Sequence, residues 1–246
     1  MTPHINRLFT LASLAVAMFA SGCSARQQNL SELSPDSMYA EAVRAYDEGD
    51  LDLASRLLEY FVSENIGHPR AADARLLLGD LNYARRDYAI AATHYQRVAQ
   101  DFPTYSRSLE ARFKICDSYH QLSPQPALDQ EFTLAALDHC QSVAENFPGT
   151  SEAEQAVEVI SELRNKLAEK AYANGVFYFR RGAYDAAVVY FQQVMEDYPT
   201  TSVAPAALGQ LVETFERIGY VEDAAEAKER LQQDYPESEE ARELAP

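Results

Sequence analysis

The stretch Leu163–Pro199, LRNKLAEKAYANGVFYFRRGAYDAAVVYFQQVMEDYP, decides the fold. Its first half repeats Leu163, Leu167, Ala171, Gly175 and Tyr178 at steps of three and four. Its second half does the same with Tyr184, Ala187, Phe191, Val194 and Met195. That period puts the apolar residues on one face of a helix, and it breaks once, at Arg180-Arg181-Gly182-Ala183, where the chain must turn. Gly175 and Ala187 are small, as a close crossing of antiparallel helices requires. Tyr178 and Phe191 are large, as filling the remaining gap requires. With Pro199 closing the second helix, these offsets spell a tetratricopeptide unit.

The plan recurs along the chain. When the turns Glu48-Gly49-Asp50, Arg85-Arg86-Asp87, Arg181-Gly182-Ala183 and Ile218-Gly219-Tyr220 are aligned, an alanine follows each central residue by five: Ala54, Ala91, Ala187, Ala224. Seven before lie Ala42, Gly79, Gly175 and Val212, and seventeen after lie Ile66, Pro103, Pro199 and Pro236. The third unit is irregular. A helix over Ser108–Leu122 meets Ser123-Pro124-Gln125-Pro126, and the next helix, Glu131–Asn146, ends in Phe147-Pro148, so the turn is about eight residues longer than the others. Prolines 103, 148, 199 and 236 stop the second helix of each pair. Ser106, Ser151 and Ser202 start the next, Ser151 pairing with Glu154 as a capping box. From Ser151 to Arg180 nothing breaks the helix.

The expected fold is therefore all-α: a tetratricopeptide-repeat solenoid of about five helix pairs, with a long helix joining units three and four. The expected lobes are 38–150 and 151–246. Each unit buries its face on the next, so the array is stabilised by neighbours rather than by one central core.

The N-terminus is a different object. Arg7 precedes an apolar run, Leu8–Ala20, too short to span a bilayer and suited to a signal sequence. It ends in Ala20-Ser21-Gly22-Cys23, which looks like a bacterial lipoprotein signal: residues 1–22 are removed and Cys23 is lipidated. Acyl chains on that cysteine would hold the protein to the membrane, each buried CH₂ contributing about 0.8 kcal/mol. Ser24 stands where an aspartate would favour inner-membrane retention, so the expected location is the periplasmic face of the outer membrane. Residues 23–37 read as a polar tether.

Composition excludes several functions. The 246 residues are 47% hydrophobic with 9 Gly, as a helix-rich globular chain should be, and the net charge of −17 argues against nucleic acid as a partner. There is no glycine-rich phosphate loop, HExxH or nucleophile elbow, and the carboxylates are scattered over helix faces. No catalytic residue, cofactor or metal is expected. Cys116 and Cys140 fall on apolar faces of the third unit; an oxidising compartment would permit a disulfide, but two buried, unpaired cysteines are the preferred reading. Zinc held by Cys116, His120, His139 and Cys140 is disfavoured, because adjacent helical residues point about 100° apart.

The first three units repeat at 37 residues, which aligns Tyr39, Leu76 and Phe113 in one column and Tyr46, Tyr83 and His120 in another. In a tetratricopeptide stack both columns belong to first helices and line the concave groove. Aromatics with polar tips there suit an extended client peptide.

The lipoprotein-type Cys23, the tether, five repeats and a long central helix together resemble the BamD family of the outer-membrane β-barrel assembly machinery. The most specific stretch is Glu162–Phe191, ELRNKLAEKAYANGVFYFRRGAYDAAVVYF, and the long third turn, Leu122–Phe132, also fits. The resemblance implies a non-enzymatic scaffold. Its C-terminal repeats would dock on a POTRA domain of a BamA-type insertase, its N-terminal repeats would receive unfolded outer-membrane barrel proteins, and other Bam lipoproteins are further partners. The family's interface arginine, in an Arg-Gly-Ala-aromatic turn, matches Arg181, followed by Gly182 and Tyr184. The alternatives are another periplasmic repeat lipoprotein, either a secretin pilotin or an adaptor associated with Tol–Pal or the cell wall.

Overall fold

The computed structural model describes residues 33–244, and among them eleven helices and no strand. Cys23, the signal sequence and most of the tether lie outside the described residues. These fall into two compact units, divided between Asn65 and Ile66.

The first unit contains α1 (Pro35–Asp47) and α2 (Leu51–Glu64). Its helical pattern begins three residues before the expected Met38, because Ser34 caps α1 by accepting from the Ser37 amide at 3.2 Å and Pro35 occupies the first turn. Gly49 makes the turn at φ +82°, and the Asp50 carboxylate caps α2 through the Leu53 amide at 3.0 Å. Met38, Ala42 and Ala45 are buried on one helix, Leu57, Leu58 and Phe61 on the other.

The second unit runs α3 (Ala71–Ala84), α4 (Tyr88–Asp101), α5 (Ser108–Leu122), α6 (Glu131–Asn146), α7 (Ser151–Arg180), α8 (Tyr184–Asp197), α9 (Ala204–Ile218), α10 (Val221–Asp234) and the short α11 (Glu239–Glu243). Helices adjacent in sequence pack on one another, as a repeat fold demands. The expected pairs and the uninterrupted 30-residue α7 are all present. The long α7 packs on α6 before it and on α8 after it, within the second compact unit.

The crossings explain the small–large columns. A Cβ built on Gly79 would lie 2.3–2.9 Å from atoms of the Tyr95 ring, and one on Gly175 would lie 2.5–2.9 Å from Phe191. Both rings are sealed from solvent. The helices thus approach until a ring of one lies against bare backbone of the other. The turn column is equally constrained: Gly49, Gly182 and Gly219 have φ between +73° and +82°, and Arg86 adopts +65° in the same place at a cost of roughly 1 kcal/mol.

Two expectations need correction. The cap of α7 is Thr150, whose hydroxyl accepts from the Ala153 amide at 3.2 Å, while Ser151 is the first helical residue and its hydroxyl meets Glu152. Ser106 and Ser202 likewise stand outside helices that begin at Ser108 and Ala204. Secondly, Cys116 and Cys140 are not unpaired. They form a disulfide between α5 and α6, Cα–Cα 4.9 Å, fully buried among Ala136, Val143, Ala156 and Leu163.

Candidate functional site

The turn between α7 and α8 presents the predicted partner residues. The amides of Gly182 and Ala183 bond back to the carbonyls of Phe179 and Tyr178 at 2.9 and 3.1 Å, and Gly182 takes φ +73°, so the chain reverses within three residues. This fixes Arg181 at the helix end. Its guanidinium carbon sits 4.3 Å from the centroid of the Phe177 ring, which is 48% exposed. A cation held over an aromatic face gains roughly 0.5–1 kcal/mol at an exposed site and keeps its N–H edge available for a carboxylate. Tyr184 packs edge-on against Phe179 at 5.5 Å, and Arg217 sits 5.2 Å from the Phe179 ring and pairs with Glu213 at 2.9 Å. Arg181, Gly182 and Tyr184 therefore belong to one built corner, in which Tyr184 secures the turn and Arg181 is presented by Phe177.

Phe177 itself was not among the predicted residues. The signal was there, since an aromatic four residues before an arginine shares its helix face.

Beside this corner lies a cavity of about 610 Å³ whose walls are the α5–α6 loop at Pro126 and Ala127, α7 at Lys170 and Tyr178, and Tyr190 of α8. The loop is held in place by specific bonds. Gln130, 6% exposed, donates from its amide to the carbonyls of Gln125 and Leu128 at 2.9 and 3.0 Å, and its own oxygen accepts from Thr133 at 2.6 Å. From α7, Lys166 donates to the Ser123 hydroxyl at 2.7 Å and Lys170 to the Leu128 carbonyl at 2.6 Å. Two ammonium groups and a buried carboxamide thus satisfy the backbone of the long turn.

The groove columns are distributed over both compact units. In the first, Tyr39 is half-buried with its ring 5.9 Å from Phe61, and Tyr46 is also half-buried. In the second, Tyr83 packs edge-on to Tyr88 at 5.0 Å; burial, then a hydrogen bond with Asp117, pushes its phenol above the ordinary range. His120 reaches Glu162 of α7 at 3.1 Å. Phe113 is partly buried against the disulfide cluster. Leu76 is a correction: it is fully buried with Ala91, Tyr95 and Val98, so it fills the core rather than lining an open face. A leucine in a column of aromatics lacks the polar tip that keeps a tyrosine at the surface.

Among the described residues no helix is long and apolar enough to cross a membrane, and no group of three or more His, Cys, Asp or Glu side chains could hold a metal ion.

Comparison with known proteins bears on the same residues. The family described as YfiO, outer membrane lipoprotein, matches residues 31–231. The outer membrane protein assembly factor BamD of Caulobacter vibrioides is 28% identical over 222 residues, covering 87% of this chain and 72% of the relative. That of Vibrio cholerae is 28% identical over 237 residues, covering 91% and 97%. Among solved structures, the TPR2AB-domain–pHSP90 complex of yeast Sti1 superposes with a TM-score of 0.43 at 13% identity over 84% of this chain and 80% of that one. That likeness is too loose to bear on function. The match over residues 31–231 runs from before α1 into α10 and includes the Arg181 corner, and by it the chain belongs to the YfiO (BamD) family of outer membrane lipoproteins.

Proposed function

We propose that this chain is a non-enzymatic scaffold of outer-membrane protein assembly, anchored through lipidated Cys23 to the periplasmic face of the outer membrane. In this reading the α7–α8 corner docks on a POTRA domain of a BamA-type insertase, and Arg181 meets a partner carboxylate bidentately. The half-buried members of the aromatic columns, Tyr39, Tyr46, Tyr83, Phe113 and His120, serve unfolded barrel clients.

The observation that carries the reading is the family match over residues 31–231 together with curated relatives that are outer membrane protein assembly factors. The corner is consistent with it: the arginine is held over Phe177 and no acidic side chain among the described residues pairs with it. A docking arginine needs both properties, a fixed position and unspent hydrogen-bonding capacity.

The test is purification of the lipidated protein from outer membranes in mild detergent, with its partners identified by mass spectrometry. A stoichiometric barrel protein carrying POTRA repeats is expected; a secretin or a Tol–Pal component in its place would overturn the reading. Arg181→Glu should then weaken binding to the isolated POTRA domain by about 2–5 kcal/mol, because the partner carboxylate would face a like charge. Unchanged affinity removes Arg181 from the interface.

A further inference from the structure

The disulfide occupies a particular place in the repeat. With the 37-residue register, Gly79 of α3 corresponds to Cys116 of α5. Counting back eight from the closing proline, Tyr95 precedes Pro103, Phe191 precedes Pro199, and Cys140 precedes Pro148. The two cysteines therefore stand at the positions where the flanking pairs carry Gly79 against Tyr95 and Gly175 against Phe191. In those pairs a ring lies on bare backbone. In the third, two short side chains meet, and each is fully buried.

We infer that the third unit closes its helix crossing by oxidation instead of by shape, and that Cys116 and Cys140 are a site of thiol–disulfide exchange with a disulfide-bearing oxidant during folding. One cysteine thiolate attacks the donor's S–S bond, and the first donor sulfur leaves as a thiolate. The second cysteine thiolate then attacks the mixed disulfide and expels the other donor sulfur. Two protein thiols are oxidised, one donor disulfide is reduced to two thiols, and the two protons lost by the cysteines end on the donor.

Burial sets the order of events. Neither sulfur is accessible once α5 and α6 have packed, so exchange precedes closure, and afterwards the bond is shielded from reductants. The residues between the cysteines include the loop 123–130, the wall of the 610 Å³ cavity, so the same bond ties that wall to the repeat core. Oxidation in the cell rests on the periplasmic location proposed above. The test does not, because it is done on the purified full chain with oxidised glutathione as the donor.

The reduced, denatured chain should acquire the bond on refolding with oxidised glutathione. Once folded, it should keep the bond in dithiothreitol roughly 100-fold longer than in denaturant, since reduction then waits on opening of the unit. Equal reduction rates in buffer and denaturant would overturn the shielding. Two variants probe the equivalence. Cys116→Ser with Cys140→Ser should lower the midpoint of thermal unfolding and speed proteolysis within 123–130. Cys116→Gly with Cys140→Phe, which installs the lock of the neighbouring pairs, should recover most of that loss and be indifferent to dithiothreitol. A serine variant as stable as the oxidised protein, or a glycine–phenylalanine variant no better than the serine one, would overturn the inference.

Discussion

In the fourth unit the crossing of α7 and α8 is filled by the Phe191 ring, lying where Gly175 has no Cβ; in the third, the Cys116–Cys140 bond takes the same two positions of α5 and α6. The turns differ in parallel. The fourth reverses in three residues around Gly182, whereas the third needs 123–130 and is tied down by Gln130, Lys166 and Lys170. A tight turn and a ring against bare backbone need nothing but correct packing. A long turn leaves the pair freer in the unfolded chain, and a cross-link removes that freedom directly. The difference teaches that one repeat position can be satisfied by volume or by a covalent bond, and that only the second makes stability conditional on redox chemistry.

The strongest way to break this comparison is to empty the fourth crossing. Phe191 is fully buried and touches Gly175 and Tyr172, so Phe191→Ala removes a ring that nothing else can replace. We expect a loss of about 3–5 kcal/mol in urea unfolding, identical with and without reductant. A loss under about 1 kcal/mol would mean that the crossing collapses readily and that the ring is not what holds it.

Much of the fold was legible because repeat proteins state their plan several times. Gly79 and Gly175, the turn glycines and the closing prolines each fix a position physically, and four aligned copies separate rule from accident. The disulfide was not legible from local pattern, because a cysteine on an apolar face looks the same free or bonded. The register that equates Cys116 with Gly79 places the two cysteines at one crossing, and the structure shows that they are bonded there. Of the candidate site, Arg181, Gly182 and Tyr184 form one corner, since a turn is a local structure. The groove columns were read less well: Leu76 shares their period but is core, because period gives the face of a helix and not what covers that face.

The junction between the third and fourth repeats offers a smaller, sharper test. The sequence pattern pointed to Ser151 as the cap of α7, yet Thr150 does that work and also donates to the Phe147 carbonyl at 2.8 Å. It thereby joins the end of the third unit to the start of the helix that carries the fourth. Thr150→Ala should cost about 1 kcal/mol, and Ser151→Ala only a few tenths, both read from urea midpoints. The reverse order would restore Ser151 as the cap.

The smallest effect concerns a pair of rings that both units place alike. Three residues after Gly175 stands Tyr178, stacked on Tyr190 with centroids 5.4 Å apart and planes 6° from parallel. Three after Cys116 stands Tyr119, stacked on His139 at 5.3 Å and likewise 6°. The third unit thus carries a titratable ring where the fourth carries a phenol. Burial holds the His139 pKa below its ordinary 6.5, a shift that Asp138 opposes without cancelling. The folded state therefore binds fewer protons than the unfolded one between that depressed value and 6.5. Stability is full above 6.5, declines as pH falls through this window, and levels off once the folded imidazole is also protonated. His139→Tyr, which copies the fourth unit, should remove this share of the decline and leave the midpoint at pH 8 nearly unchanged. Thermal midpoints measured from pH 8 to 5 would decide it: a variant as acid-sensitive as the parent means that some other group drives the loss.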